Sequence, residues 1–242
     1  MQTQTQPVSI LNCFTEGLSL IFSKGFRRFI FIPLLLNLLI FIALSSVALD
    51  YAQALFSNLE TYLPHWLLWL KWLLWPLLVL ITLIVYAYCF NLITTIIAAP
   101  FLGLLAEKIE AHITRNIPAE ETLASLIPRT FKREFTKLIY FVPRSLAIGL
   151  IIFMLIFLPG ANFLGVLIGG LWGSWCLALQ FCDYAADNHQ LPFTMVRQQL
   201  GQQKISSFMF GGLVLAGSMT PFLNIVITPL AVAAGTIYWT RK

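Results

Sequence analysis

The residues with the most chemical reach in this chain stand near its start, as Lys24-Gly25-Phe26-Arg27-Arg28. Two adjacent guanidiniums offer planar forks of N–H donors that fit an oxyanion. Gly25 lets the backbone approach a ligand closely. The long apolar run that follows predicts a helix, whose N-terminus adds unbonded N–H groups and a partial positive charge. Together these suit a tetrahedral dianion. The same three cations also suit a plainer task, fixing the side from which an apolar helix enters a membrane.

Two further groups have chemical potential. Gly103-Leu104-Leu105-Ala106-Glu107 ends a run of 35 residues without a charge. Gly103 and Glu107 can line the mouth of an ion pathway, or Glu107 can pair with an arginine of the segment 129–144. Pairing removes a charge that would repel an anion, which favours the structural role. Asp183-Tyr184 with Asp187-Asn188-His189 offers carboxylates beside an imidazole. The other histidines, His65 and His112, lie far away in sequence, and no H-E-x-x-H pair occurs, so no metal or cofactor site is expected. Capping and loop-fixing hydrogen bonds are the better expectation for this group, with His189 also of the residue type that senses pH.

The elements that must position these residues follow from composition. Hydrophobic residues make up 59% of the 242 positions and charged ones only 10%, against about 25% charged in soluble domains. The excess apolar surface must face lipid. A net charge of +5, with basic residues beside apolar runs, suits a membrane surface or an anionic ligand and excludes a nucleic-acid stripe. Cys13, Cys89, Cys176 and Cys182 show no C-x-x-C spacing and read as inert buried thiols. The start, Met1 to Gln6, has no cleavable-signal pattern, so the first apolar helix is expected to remain as an anchor.

Four stretches, Phe29–Leu49, Trp72–Ala106, Ser145–Cys182 and Ile205–Thr240, contain no Asp, Glu, Lys, Arg or His. The first matches one bilayer crossing of about 20 residues. The second predicts one long helix that starts in an aromatic belt of Trp66, Trp69, Trp72 and Trp75 and projects past the membrane. The last two are broken at Leu158-Pro159-Gly160 and at Gly217-Ser218-Met219-Thr220-Pro221, so each divides into two arms. Fourteen of the fifteen basic residues flank these stretches on one side, and only Lys71 lies in the loop between the first two. The positive-inside rule places that side, with both chain ends, in the cytoplasm. Both broken stretches must then leave and return on one side, as hairpins. Their short first arms favour half-penetrating, re-entrant insertion.

The expected architecture is an all-α integral membrane protein forming one membrane domain. An amphipathic N-terminal helix (1–28) lies on the cytoplasmic surface, with Ile10, Leu11, Phe14, Leu18, Ile21 and Phe22 on its apolar face. It is followed by a first crossing (29–49), an outside loop (50–71), a long second crossing (72–110) and cytoplasmic helices (111–144) with a turn near Asn116-Ile117-Pro118. Hairpin 145–182, a connection 183–204 and hairpin 205–242 complete it. Two long transmembrane helices thus accompany two hairpins. Polar residues within the apolar stretches are few, and of these Asn91, Thr220 and Asn224 are candidates for an ion pathway. Thr220 before Pro221 reads as an N-cap, pointing the positive end of a half-helix into the membrane.

Motifs spread over nearly the whole chain resemble those of the CysZ family of sulfate permeases. They are Gly25-Phe26-Arg27-Arg28-Phe29, Pro33-Leu34-Leu35-Leu36-Asn37, Ala99-Pro100-Phe101-Leu102-Gly103 with Leu104 to Glu107, Pro128-Arg129 with Lys132-Arg133-Glu134, and Pro143-Arg144. Gln180-Phe181-Cys182-Asp183-Tyr184, Asp187-Asn188-His189 and Pro192-Phe193 close the series. The resemblance implies sulfate uptake across a bacterial inner membrane to supply cysteine synthesis, two pairs of hemi-penetrating helices and a homo-oligomer. It also implies a sulfate site at Gly25, Arg27 and Arg28, and sulfite is a competitor of the same chemistry. An enzyme would need a nucleophile and base at one depth, and no G-x-x-x-x-G-K-[ST] loop is present. A membrane scaffold or accessory subunit without ion flux is the alternative reading. Within transport, the lack of carboxylates in the apolar stretches favours a channel-like route over proton coupling.

Overall fold

The computed structural model describes residues 9–62, 71–115, 123–158, 160–220 and 223–241. Among these residues eight helices follow one another: α1 (Ile10–Ile21), α2 (Arg28–Tyr62), α3 (Lys71–Thr114), α4 (Leu123–Ile156), α5 (Asn162–Asn188), α6 (Phe193–Gln202), α7 (Lys204–Met219) and α8 (Leu223–Arg241). The described residues contain no strand. Four of the helices carry segments long and apolar enough to cross a membrane, at Leu34–Ala54, Leu74–Thr114, Pro128–Ile156 and Asn162–Asn188.

Several boundaries differ from expectation, each for a local reason. The first crossing was expected to end at Leu49, yet α2 runs 35 residues to Tyr62. Residues 50–62 contain neither Pro nor Gly, so the backbone has no cause to leave the helix where the side chains become polar. At ~1.5 Å per residue, α2 is longer than the ~30 Å hydrocarbon layer. The rest of the expected loop, with His65, Trp66 and Trp69, lies outside the described residues, as does the turn near Asn116-Ile117-Pro118. The long second crossing, expected over 72–110, is α3, which extends slightly beyond both bounds.

The segments 111–144 and 145–158, expected as a cytoplasmic helix and a separate short arm, meet instead in one helix. The helix α4 is 34 residues long and passes through Pro128 and Pro143. Pro143 removes one helical donor, and Arg144 Nη1 donates to the Tyr140 carbonyl at 3.0 Å beside it. The arm from Ser145 is therefore the apolar half of a longer helix, and its shortness no longer argues for half-depth insertion. The break at 157–161 falls where Leu158-Pro159-Gly160 placed it, with Gly160 at φ +79°. The helix α5 then continues past Cys182 to Asn188, so Asp183 and Asp187 lie on a helix face and not in a loop. The second break, between Met219 and Leu223, also falls where expected. At 16 residues, or ~24 Å, α7 is shorter than the hydrocarbon layer.

The chain forms two compact units. In the unit Ile32–Ala98, the residues of α2 and α3 pair in antiparallel order. Phe41 meets Tyr86 and Phe90 edge-on, and Ser45 Oγ lies 2.8 Å from the Tyr86 hydroxyl. Further along, an apolar groove of about 400 Å³ is lined by Phe41, Leu49, Val79, Leu83 and their neighbours.

In the unit Met1–Phe31 with Ala99–Lys242, α5 is the central helix, packing on α4, α7 and α8. The helix α1 does not simply rest on a surface: Ile10, Cys13, Gly17 and Ile21 are buried, with Gly17 against Ala233 and Ala234 of α8. Leu11, Leu18 and Phe22, expected on the same apolar face, are exposed. Arg241 completes the junction with a two-pronged ion pair to Glu16, both contacts at 2.7 Å, and that hydrogen-bonded pairing raises the Arg241 pKa. Burial at the same junction pushes the Cys13 thiol up to about 11, so it stays protonated and unreactive at neutral pH.

Among the glycines, the one with least room for a side chain is Gly211 of α7. A Cβ there would lie 1.8 Å from the Ser174 carbonyl oxygen of α5, whereas one at Gly212 would meet only Ser174 Oγ at 3.7 Å. Gly211→Ala must push two helices apart and should cost about 3 kcal/mol or more. Gly212→Ala should be nearly silent. Thermal unfolding of the two variants in detergent tests the packing; equal midpoints would contradict it.

Candidate functional site

The turn between α1 and α2 begins where Ser23 closes the end of α1, its N–H and hydroxyl both donating to the Leu20 carbonyl. Gly25 follows at φ +104°, a conformation that strains any L side chain. No atom lies within 4 Å of a Cβ built there, so the glycine is needed for its backbone and not for space. Phe26 then packs edge-on to His112 of α3, ring centroids 6.1 Å apart. Phe29 is buried, with Arg28 and Lys108 over its ring at 5.2 and 5.8 Å. Two aromatic anchors thus hold the start of α2 against the end of α3.

This anchoring leaves the cations facing outward. Lys24, Gly25, Arg27 and Arg28 are exposed. Arg27 Nε donates to the Phe22 carbonyl at 2.8 Å, which orients the guanidinium while leaving its two terminal nitrogens available. Among the described residues, neither Arg27 nor Arg28 has a carboxylate partner. Lys24, Arg27 and Arg28 therefore stand on one turn, with Lys108 of α3 beside Phe29, and among the described residues no carboxylate pairs with Arg27 or Arg28. Such a turn can attract and hold an anion.

The other basic run has a different fate. Arg129, Arg133 and Lys137 project from successive turns of α4 towards Asp183 and Asp187 of α5. Arg133 Nε donates to both Asp183 carboxylate oxygens, at 3.1 and 3.0 Å, and Nη1 donates to the Leu191 carbonyl at 2.7 Å. Arg129 pairs with Asp187 at 3.5 Å, and Lys137 lies 3.4 Å from Asp183 and pairs with Glu134. Lys137 also sits 4.7 Å from the centroid of the Tyr184 ring. Three cations and three carboxylates thus meet in one buried patch, with Asp183 only 1% exposed. These acids hold two helices together by ion pairs, where caps and loop hydrogen bonds were expected. The signal was present in the sequence: bases at 129, 133 and 137 and acids at 183 and 187 share the four-residue helical step.

The remaining candidates are dispersed. Gly103 is buried on α3, and its carbonyl accepts a bond from Asn188 Nδ2 at 3.2 Å. One turn on, Glu107 is half-buried. Glu110, which was not singled out, lies 2.6 Å from His189 Nε2 and ties the end of α5 to α3. Asn91 is exposed in the other unit, its carbonyl bonded to Thr95 Oγ1. Thr220 and Asn224 are exposed at the α7–α8 break. The Thr220 backbone is extended, and its carbonyl accepts the Asn224 N–H, as an N-cap should. Its hydroxyl, however, donates to Ala216 at 2.9 Å and so faces α7 instead of capping α8. At a helix end a threonine hydroxyl can bond back one turn as readily as forward.

Comparison with known proteins agrees with the residue pattern. The family model described as Sulfate transporter CysZ/Etoposide-induced protein 2.4 matches residues 13–229. Sulfate transporter CysZ of Pseudomonas fluorescens (strain SBW25) is 43% identical over 231 residues, covering 94% of this chain and 89% of its own. The protein of that name in Pseudomonas fluorescens (strain Pf0-1) is 40% identical over 231 residues, covering 94% and 91%. In Salmonella typhimurium the figures are 36% over 239 residues, 97% and 93%.

The buried network makes a direct prediction. Asp183→Asn leaves Arg133 and Lys137 without their shared charge and should destabilise the fold by about 3–5 kcal/mol. Exposed Arg28→Gln should change stability by less than about 1 kcal/mol. Thermal midpoints of both variants in detergent decide the matter, and an Asp183→Asn protein as stable as wild type would remove the structural role.

Proposed function

We propose, for a chain that belongs to the Sulfate transporter CysZ/Etoposide-induced protein 2.4 family, that it carries sulfate across a membrane and receives the anion at Gly25, Arg27 and Arg28. The observation that carries the site assignment is a contrast of charge. Arg129, Arg133 and Lys137 of α4 are matched by acids, while among the described residues Arg27 and Arg28 stand exposed and without a carboxylate on a glycine turn. A doubly charged tetrahedral oxyanion satisfies two guanidinium forks at once, with Lys24 and Lys108 adding to the attractive field.

The membrane is a bacterial inner membrane, with both chain ends on the cytoplasmic side, and the sulfate feeds cysteine synthesis. The flanking of the apolar stretches by basic residues supports that orientation. The protein works as a homo-oligomer, with α7 and α8 inserting as a half-depth hairpin, and the length of α7 supports that insertion. Passage is channel-like, without coupling to protons. Gly103, Glu107, Asn91, Thr220 and Asn224 lie along the route, and sulfite competes for it. The N-terminal end of α8 beside Thr220 and Asn224 offers a partial positive charge where the chain supplies no Lys or Arg.

Radiolabelled sulfate uptake into proteoliposomes tests both levels of the proposal. Wild-type protein should show uptake above empty liposomes, and Arg27→Ala/Arg28→Ala should reduce it by tenfold or more while remaining folded, on the order of 1.4 kcal/mol or more. Uptake unchanged in the double variant would return both arginines to topology. No uptake by wild type would favour a membrane scaffold or accessory subunit. Thr220→Val/Asn224→Leu should also lower flux, and normal uptake in that variant would exclude the end of α8 from the route.

A further inference from the structure

A second set of unmatched cations lies on the same unit as the glycine turn. Tyr140 of α4 has two guanidiniums over its ring: Arg144 at 4.1 Å and Arg197 of α6 at 4.6 Å from the centroid. The two distances place the charges no more than about 9 Å apart, and on one face of the ring they lie near enough to be bridged by one anion. Among the described residues, neither arginine has a carboxylate partner. The aromatic ring attracts each cation but neutralises neither. The Tyr140 hydroxyl accepts a bond from Trp175 Nε1 at 3.2 Å, which leaves its own proton to donate.

The surroundings say which anion this site suits. Tyr140 and Arg144 stand where the charged half of α4 gives way to its apolar half. Trp172 donates to Ser145 Oγ at 2.9 Å, so two tryptophans and a tyrosine gather at that junction, as at headgroup depth. Beyond it, Leu146, Leu150, Phe153 and Phe157 form an exposed stripe at spacings of four, three and four residues, with Leu146 70% and Phe157 68% exposed. Unmatched cations at the head of an apolar, outward-facing stripe match a molecule with a phosphate at one end and acyl chains below. A free inorganic anion would have no use for the stripe.

We propose that Arg144 and Arg197, gathered on Tyr140, form a headgroup site for an anionic phospholipid whose acyl chains lie along the exposed stripe of α4. The phosphate bridges the two guanidiniums and accepts the Tyr140 proton. The site is separate in sequence from the glycine turn and its occupant is structural, so it does not depend on Arg27 and Arg28 receiving sulfate.

Native mass spectrometry of the full chain, delipidated in detergent and titrated with phosphatidylglycerol or phosphatidylcholine, tests the site. Wild type should retain phosphatidylglycerol in preference to phosphatidylcholine. Arg144→Gln/Arg197→Gln should weaken phosphatidylglycerol binding by about tenfold or more and leave phosphatidylcholine unchanged. Should the double variant not fold, the single variant Arg144→Gln, at an exposed position, should still weaken phosphatidylglycerol selectively. Phosphatidylglycerol binding at wild-type strength in the folded variants would overturn the proposal. So would displacement of the bound lipid by millimolar sodium sulfate with the same dependence on both arginines, since the site would then take a free oxyanion.

Discussion

A carboxylate that cannot reach water must meet a cation, and the encounter of Asp183 with Arg133 and Lys137 organises much of this chain. Leaving either side unpaired would cost several kcal/mol, so α4 and α5 are held in the register that pairs them. That register makes α5 the axis of its unit. One face presents Ser174 to Gly211 of α7 and Phe181 to Gly235 of α8, approaches that leave no room for a side chain. The same stretch of α8 in turn receives α1, with Gly17 against Ala233 and Ala234, and the Glu16–Arg241 pair closes the end of the helix. A larger residue at Gly17, Gly211 or Gly235 would force apart the helices packed there.

The same pairing decides which cations remain for ligands. The bases at 129, 133 and 137 are spent on Asp183, Asp187 and Glu134, so that patch carries almost no net field. The positive balance of the whole chain, +5, is then concentrated on residues outside the patch. Arg27 and Arg28 are fixed in place by aromatic packing of Phe26 and Phe29, and Arg144 and Arg197 by the ring of Tyr140. In both places the protein orients guanidiniums with groups that do not cancel their charge. Cation–ring contact is suited to this, because it costs little desolvation and leaves the N–H forks open.

Much of this was legible from the residues. Charge-free runs bounded by basic clusters marked the long apolar helices, and Pro and Gly at 158–160 and 217–221 marked both breaks. The glycine–arginine turn stood out because its residue types are few and adjacent. What escaped were features set by long-range packing. Proline at 143 does not end α4: it removes a single helical N–H, and the helix runs on through it to Ile156. The helix α2 continues beyond its apolar run because polarity changes what surrounds a helix without breaking its backbone. The acids at 183 and 187 looked like loop chemistry because their partners stand some fifty residues earlier, although the matching four-residue steps were there to be read. The burial of Gly17 rather than Leu18 on α1 is decided by α8, which no local pattern on α1 contains.

Placing fixed cations at the ends of the apolar helices and none within them has a consequence for ion passage. A guanidinium at depth would lower the cost of bringing in a dianion, but it would also hold the ion there, and flux requires release as much as entry. Exposed arginines such as Arg27 and Arg28 act through a field screened by salt within about 10 Å. They can raise the local concentration of an anion at the mouth without binding it so tightly that it stays. Within the apolar stretches, neutral groups such as the Asn91 and Asn224 amides, together with the partial charge at the start of α8, would have to take over. Those are weaker and more numerous interactions, each readily exchanged for water. The distribution of charge in this chain therefore favours an ion handed along by dipoles after capture by full charges, over one carried in a single deep site.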